Sequence, residues 1–281
     1  MKLVYNISEL IPYINWPYFF FAWQVKEPSE KDRLRQEAEV LLQKLEGKYH
    51  AYGLFELFDA YSDGDDIVVD LEGTGVQGNE GARIPCLRQQ QQSSEYLSLA
   101  DFVTPKNVIS HPRTPVPPYL RKLSLFATSA SLGLETDFSS DPYKKMMAQL
   151  LADRLAEAAA ERMHEQIRKE YWGYAKDENL TIPDMLVEKF QGIRPAVGYP
   201  SLPDTSLNFV LDDLIDMKQI GIRLTESGAM KPHASVSGLM LAHPEARYFS
   251  IGKIGEDQLR DYARRRGLPL ELCRRFLAAN L

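Results

Sequence analysis

Between Gln191 and Pro200 the chain reads Gln-Gly-Ile-Arg-Pro-Ala-Val-Gly-Tyr-Pro, which sets a guanidinium, a phenolic hydroxyl and a flexible backbone within six residues. Arg194 presents planar donors that suit a carboxylate or phosphate in a bidentate pair. Gly198 lets the backbone approach a ligand closely, and Pro195 and Pro200 restrict the loop at both ends. The spacing therefore suits a grip on a small anionic ligand. It suits equally an Arg paired with a local carboxylate and a Tyr that fills a crevice.

Such a loop needs elements to hold it, and the hydrophobic periodicity supplies them. Leu34, Ala38, Leu41, Leu42 and Leu45 recur at helical intervals between Ser29 and Gly47, which predicts an amphipathic helix. Tyr52 to Phe58 and Ile67 to Leu71, joined across Ser62-Asp63-Gly64-Asp65, read as a hairpin, and Leu123 to Leu132 as a buried strand. Pro142 to Trp172 carries an alanine-rich apolar stripe and reads as the central helix, stopped at Gly173, with a further helix starting at Thr181-Ile182-Pro183-Asp184.

Residues 207–219 predict another helix, Ala234 to Ala242 and Arg247 to Ile254 a pair of antiparallel strands, and Glu256 to Arg266 a closing helix ended by Gly267. Gly73 to Gly81 reads as a loop without the Lys-Ser/Thr of a phosphate-binding P-loop, and Gln89 to Gln92 as one face of a short helix. The prolines at 105, 112, 115, 117 and 118 mark an extended surface loop. Helices and strands mix without regular alternation, so the expected class is α+β, with helices around a mostly antiparallel twisted sheet.

A chain of 281 residues with 44% hydrophobic residues can bury a substantial core, and a net charge of −6 argues against a general nucleic-acid or membrane-surface binder. Tyr18 to Trp23 is far shorter than the roughly 20 apolar residues of a membrane span and belongs in a core or a ligand cleft. Cys86 and Cys273 stand far apart without metal-type spacing, and no secretion signal opens the chain, so reduced thiols in a cytoplasmic protein fit best. The five histidines, at 50, 111, 164, 233 and 243, lack partners at metal-ligand spacing, and Ser235 and Ser237 read as strand or loop donors rather than as nucleophiles.

Seven blocks in one order are similar to the activation (reactivation) domain of cobalamin-dependent methionine synthase. Arg194 to Pro200 resembles that family's R-x-x-x-G-Y-P, and Tyr13-Ile14-Asn15-Trp16-Pro17-Tyr18-Phe19-Phe20 its Y-I-D-W-x-x-F-F. Leu99 to Val103 resembles L-A-D-F-V, and the runs beginning at Leu151, His164, Leu224 and Ala234 resemble L-A-D-R-L-A-E-A, H-E-x-x-R-K-x-Y-W-G-Y, L-T-E-S-x-A-M and A-S-V-S-G. The resemblance implies one activation domain over residues 1–281, an α+β fold, and S-adenosylmethionine (AdoMet) as ligand.

Carried over residue by residue, the resemblance assigns the AdoMet carboxylate to Arg194, adenine or ribose contacts to the backbone from Ala196 to Gly198, and a place near the cobalamin to Tyr199. Tyr248 and Phe249 match the aromatic pair that closes the site; as plain residues they would pack alternate faces of a strand. Glu157 matches a carboxylate for the ligand's amino group, ribose or sulfonium, although a helix Glu is more commonly just exposed. Asn15 departs from the family's Asp and forgoes roughly 1 to 2 kcal/mol of charged hydrogen bonding. Leu202 stands where the family often has Cys, and the H-T-E-K pattern that follows there is absent.

The implied task is reactivation of cobalamin-dependent methionine synthase. A flavodoxin-type donor reduces cob(II)alamin, and AdoMet donates its methyl to cobalamin carried by a partner module. The homocysteine, folate and cobalamin domains are absent, so the expectation is a methyltransferase component that cannot make methionine alone and acts in trans on a separate synthase. Alternatives are a non-catalytic AdoMet-sensing or docking module for a corrinoid protein, and reactivation of another corrinoid methyltransferase. Arg264, Arg265, Arg266, Arg274 and Arg275 form a basic cluster that reads as a solvated helix face or as a dock for an acidic flavodoxin.

Overall fold

The structure, a computed structural model, describes residues 1–71, 81–91, 95–109, 115–133 and 136–281. Strand β1 (Lys2–Asn6) leads into a short helix α1 (Ile7–Leu10), the aromatic helix α2 (Trp16–Ala22) and the amphipathic α3 (Pro28–Leu45). The long β2 (His50–Asp63) turns back at Gly64 into β3 (Asp66–Val69), followed by β4 (Ala82–Pro85), the single helical turn α4 (Lys106–Ile109) and β5 (Lys122–Ala130). Helix α5 (Pro142–Gln166) runs into a π-helical turn, Ile167–Tyr171, and α6 (Ile182–Leu186) and α7 (Leu207–Ile215) follow. The small β6 (Arg223–Leu224) and β7 (Met230–Lys231) pair with each other ahead of β8 (Ser235–Met240), and α8 (Glu256–Arg266) and α9 (Leu270–Phe276) close the chain.

All strand pairs are antiparallel, in the order β4-β3-β2-β5-β8 with β1 also on β2. Strand β2 serves both ends of the sheet: His50 to Leu54 pairs with β1, Ala51 to Asp59 with β5, and Ala60 to Asp63 with β3. Alternate residues of β5 face opposite cores. Phe126 joins the cluster under α3 and α5, whereas Leu125 and Ala127 join the one that includes Leu207, Leu211 and Ile215 of α7. That two-sided burial explains the nearly unbroken apolar run of this strand.

Alanines let α5 lie close to the sheet. Ala148, Ala152, Ala156, Ala159 and Ala160 are buried, and the Thr128 hydroxyl donates 2.8 Å to the backbone carbonyl of Ala156. The α+β class and the mostly antiparallel sheet are as the sequence predicts, as are α3, the β2–β3 hairpin, β5, α5, α6 with its Thr181 cap, and α8 ended by Gly267 at φ 64°.

Several expectations are corrected. Arg247 to Ile254 forms no strand, because the edge of β8 that it would occupy is taken by the loop around Arg194, through bridges Ile193–Leu241 and Ala196–Gly238. Gln89 to Gln91 is not helical: the Gln89 side chain donates to the Ser250 carbonyl and that of Gln90 accepts from Gly255 N–H, stitching this run to the C-terminal part. Residue 92, residues 110–114 of the proline-rich segment, and all of the glycine-rich stretch except its last residue lie outside the described residues. The predicted 207–219 helix is broken at Asp216, whose left-handed φ of 49° separates α7 from a 3₁₀ turn, and α9 was not anticipated. Within Tyr18 to Trp23, Phe19 is buried in the core but Phe21 is 80% exposed.

Gly238 is where the loop and the sheet approach most closely: a Cβ there would stand 2.2 Å from the Pro195 carbonyl oxygen and 2.8 Å from Ala196 Cα. Gly238→Ala is expected to destabilise the fold by about 1–3 kcal/mol, the usual cost of overpacking, measured as a lower urea midpoint at unchanged m-value.

Candidate functional site

The loop that carries Arg194 is built as a surrogate strand. Ile193 N–H and Leu241 N–H each donate 2.9 Å to the other's carbonyl, Leu239 N–H donates 3.0 Å to Pro195 O, and Val197 N–H donates 2.9 Å to Ser237 O. Pro195 sits where only its carbonyl is needed, so its missing N–H costs nothing. Gly198, at φ 87°, then turns the chain, with its N–H donating 2.8 Å to Leu202 O. That turn leaves Tyr199 at the surface, 52% exposed, and buries Leu202 in the core.

Opposite the loop, Glu157, Glu161 and His164 lie four and three residues apart on one face of α5. The Arg194 guanidinium meets Glu161 through Nη2–Oε2 at 2.7 Å and Nη1–Oε1 at 3.4 Å, and Nη1 donates 3.1 Å to His164 Nδ1. Because Arg can only donate, Nδ1 must carry the lone pair, and the ring proton of His164 resides on Nε2, which faces the Tyr174 hydroxyl at 3.5 Å. Burial, with Arg168 and Arg194 nearby, holds the His164 pKa well below the ordinary imidazole range, so the ring is neutral. The backbone N–H of Arg194 donates 2.9 Å to the Tyr248 hydroxyl. Among the described residues this leaves Nε–H and one Nη2–H of Arg194 without a protein partner.

Between loop and helix lies a cavity of about 720 Å³. Asn15, Glu157, Arg194, Ala196, Tyr199, Tyr248 and Phe249 all line it, so the tertiary structure brings together seven candidate residues from four separate stretches of chain. Gly198 does not line the cavity; its place is in the turn. Asn15 lines the cavity as the N-cap residue of α2, yet its side chain makes no capping hydrogen bond and has no protein partner among the described residues. Glu157 accepts from Arg154 at 2.8 Å, and its pKa is raised by burial, with Arg154 opposing.

Arg194 is paired with a carboxylate, Glu161 on the distant helix α5, and also lines the cavity, whereas Tyr199 is 52% exposed and does not fill a crevice. Residues that sequence reasoning missed are Glu161, His164 as the ring that orients Arg194, Arg154, Glu188, Tyr13 and Tyr18. Glu161 was within reach, one helical turn beyond Glu157 on the same predicted face. Glu188 carries no local signal, because it reaches the cavity from a left-handed backbone, φ 60°, just after α6.

The basic cluster is largely spent internally. Arg265 pairs with Asp66 and Asp261, Arg266 donates to Ser206 and lies 3.4 Å from Asp204, Arg264 pairs with Asp261, and Arg274 pairs with Glu256. Both cysteines are free and buried, and among the described residues no three His, Cys, Asp or Glu side chains gather as a metal site. No helix among the described residues is long and apolar enough to cross a membrane.

The sequence matches the family described as vitamin B12 dependent methionine synthase, activation domain, over residues 6–267. The chain belongs to that family. The activation domain is also similar to a solved structure described as the MetH reactivation domain bound to AdoHcy, at 36% identity and a TM-score of 0.88, over 100% of this chain and 90% of that one.

Two outcomes follow from the Arg194 cluster. Arg194→Ala strips the partner from Glu161, whose side chain is only 9% exposed, and is expected to cost about 3–5 kcal/mol in urea unfolding, the penalty of an uncompensated buried charge. For His164 the unfolded state binds the extra proton, so its contribution is full above the ordinary imidazole value of about 6.5 and is lost as pH falls below it, by up to about 1.4 kcal/mol per pH unit. Stability measured between neutral and mildly acidic pH should show this slope, and His164→Gln should flatten it.

Proposed function

We propose that residues 1–281 act as a single activation domain that binds AdoMet in the cavity beside Arg194 and presents its methyl group to cobalamin carried by a separate module. The observation that carries this reading is the convergence on one cavity of apolar walls with a guanidinium and a carboxamide that keep polar groups unpaired among the described residues. Its volume of about 720 Å³ falls within the roughly 300–1,000 Å³ common for small-molecule sites. Further support comes from the 36% identical MetH reactivation domain, which is described as binding AdoHcy, the demethylated form of the same ligand.

In this reading the side edge of Arg194 takes the ligand carboxylate, while Glu161 and His164 hold the guanidinium in place. Asn15 and Glu157 take polar groups of the amino acid or ribose, and Phe126, Val236 and Phe249 supply walls for the adenine. Tyr18, 61% exposed, and Tyr199 line the cavity and also reach the surface, where an incoming corrinoid would meet the methyl group. When bound, AdoMet supplies an electrophilic methyl, and the corrinoid, reduced from cob(II)alamin by one electron from a flavodoxin-type donor, supplies the nucleophile; methylcobalamin and AdoHcy result. The chain's own contribution is proximity and orientation, with no acid or base to add. The setting is the cytoplasm, which accords with two free cysteines.

Calorimetric titration of the purified chain with AdoMet tests the binding. Arg194→Lys keeps a charge beside Glu161 but loses the fork, and is expected to weaken binding about tenfold or more. Methyl-labelled AdoMet, a cob(II)alamin-loaded module and a one-electron reductant should then yield labelled methylcobalamin only when the chain is added. Absence of AdoMet binding in the folded wild type would overturn the proposal, and binding without transfer would favour the sensing or docking role.

A further inference from the structure

The turn that follows α5 carries a hydroxyl placed outside the cavity. The π-helical turn Ile167–Tyr171 ends at Trp172, and the chain doubles back so that Ala175 N–H donates 3.0 Å to Arg168 O. Arg168, fully buried, pairs with Glu178 at 2.6 Å and fixes the far end of the same turn. Between these ties stands Tyr174, its ring perpendicular to Trp172 at 5.1 Å and stacked on Tyr119 at 6.0 Å. Tyr174 is not among the described residues that line the cavity.

Its hydroxyl nevertheless touches both sides of the site. It donates 3.3 Å to the carbonyl of Gln191, three residues ahead of Arg194 on the loop, and faces Nε2 of His164 on α5 at 3.5 Å. A phenol has one proton to give, so with that proton on Gln191 it must accept from Nε2–H. The same tautomer of His164 is required from the other side of the ring, where Nδ1 accepts from Arg194. The donors therefore run in one direction, from Arg194 through His164 and Tyr174 to the backbone of the loop that carries Arg194. Burial raises the Tyr174 pKa, with Arg168 opposing, so the hydroxyl keeps the proton it donates. Gln191 is also held by its side chain, whose amide donates 2.8 Å to Ala242 O.

We infer that Tyr174 is a positioning residue, whose hydroxyl closes a ring of hydrogen bonds behind Arg194 and so keeps the guanidinium aimed at the carboxylate of the bound ligand. The inference rests on the AdoMet reading above. At 3.3 and 3.5 Å both bonds of the hydroxyl are long, so they add little to stability. Their effect lies in direction. Without the hydroxyl, the His164 ring and the loop backbone can shift independently, and the guanidinium fork, which must meet a carboxylate in one plane, loses its preset orientation. A ligand that has no carboxylate makes no use of that fork.

Calorimetric titration of wild type and Tyr174→Phe with AdoMet, AdoHcy and decarboxylated AdoMet, which keeps the sulfonium and the ammonium, tests this. In Tyr174→Phe, which retains the ring and its packing, AdoMet and AdoHcy should bind roughly three- to tenfold more weakly, whereas decarboxylated AdoMet should change by less than about twofold. Equal weakening of all three ligands would make Tyr174 a packing residue of general effect and overturn the inference, as would unchanged binding of AdoMet or an unfolded variant. In each of these cases the AdoMet reading would survive. A folded wild type that binds none of the three would overturn that reading and this inference together.

Discussion

A guanidinium and a carboxylate withdrawn from water are costly unless each satisfies the other, and the pairing of Arg194 with Glu161 is the constraint on which the site depends. It spans 33 residues of sequence and ties the loop on the sheet edge to the middle of the long helix. Once that pair is fixed, the remaining positions follow. His164 must be the Nε2–H tautomer, Tyr248 must stand over the Arg194 backbone, and two donors of the guanidinium are left without a partner among the described residues.

The pair can form because two backbones approach closely. Alanines on α5 bring the helix down onto β5, and Gly238 lets the Arg194 loop lie against β8 where any side chain would collide with it. The same close packing explains why Arg247 to Ile254, rich in strand-forming residues, forms no strand: the loop already holds the edge hydrogen bonds. That segment instead runs beside the cavity, held by Ile251 N–H on the Pro200 carbonyl at 2.9 Å, and Tyr248 and Phe249 line the cavity.

Charge is distributed differently at the two ends of the molecule. Around the C-terminal helices, arginines are matched to local aspartates and glutamates, so the basic run in the sequence presents little free positive surface. In the cavity three carboxylates face two guanidinium groups, one carboxylate in excess of neutral.

The sequence alone determined the α+β class, the long alanine-rich helix, the central strand and the family, because hydrophobic periodicity, caps at Thr181 and Gly267 and ordered motifs are local properties. It also named seven of the residues that line the cavity, through motif positions rather than through any visible contact. Only the tertiary structure decided that Glu161 and His164 position Arg194, that Gly198 shapes a turn instead of lining the cavity, that Leu202 belongs to the core, and that Glu188 lines the cavity with no side-chain partner among the described residues. These are outcomes of competition for partners and space across distant segments: an edge strand was displaced by a loop, and a charge was left over after pairing. No spacing along the chain encodes the result of such a competition.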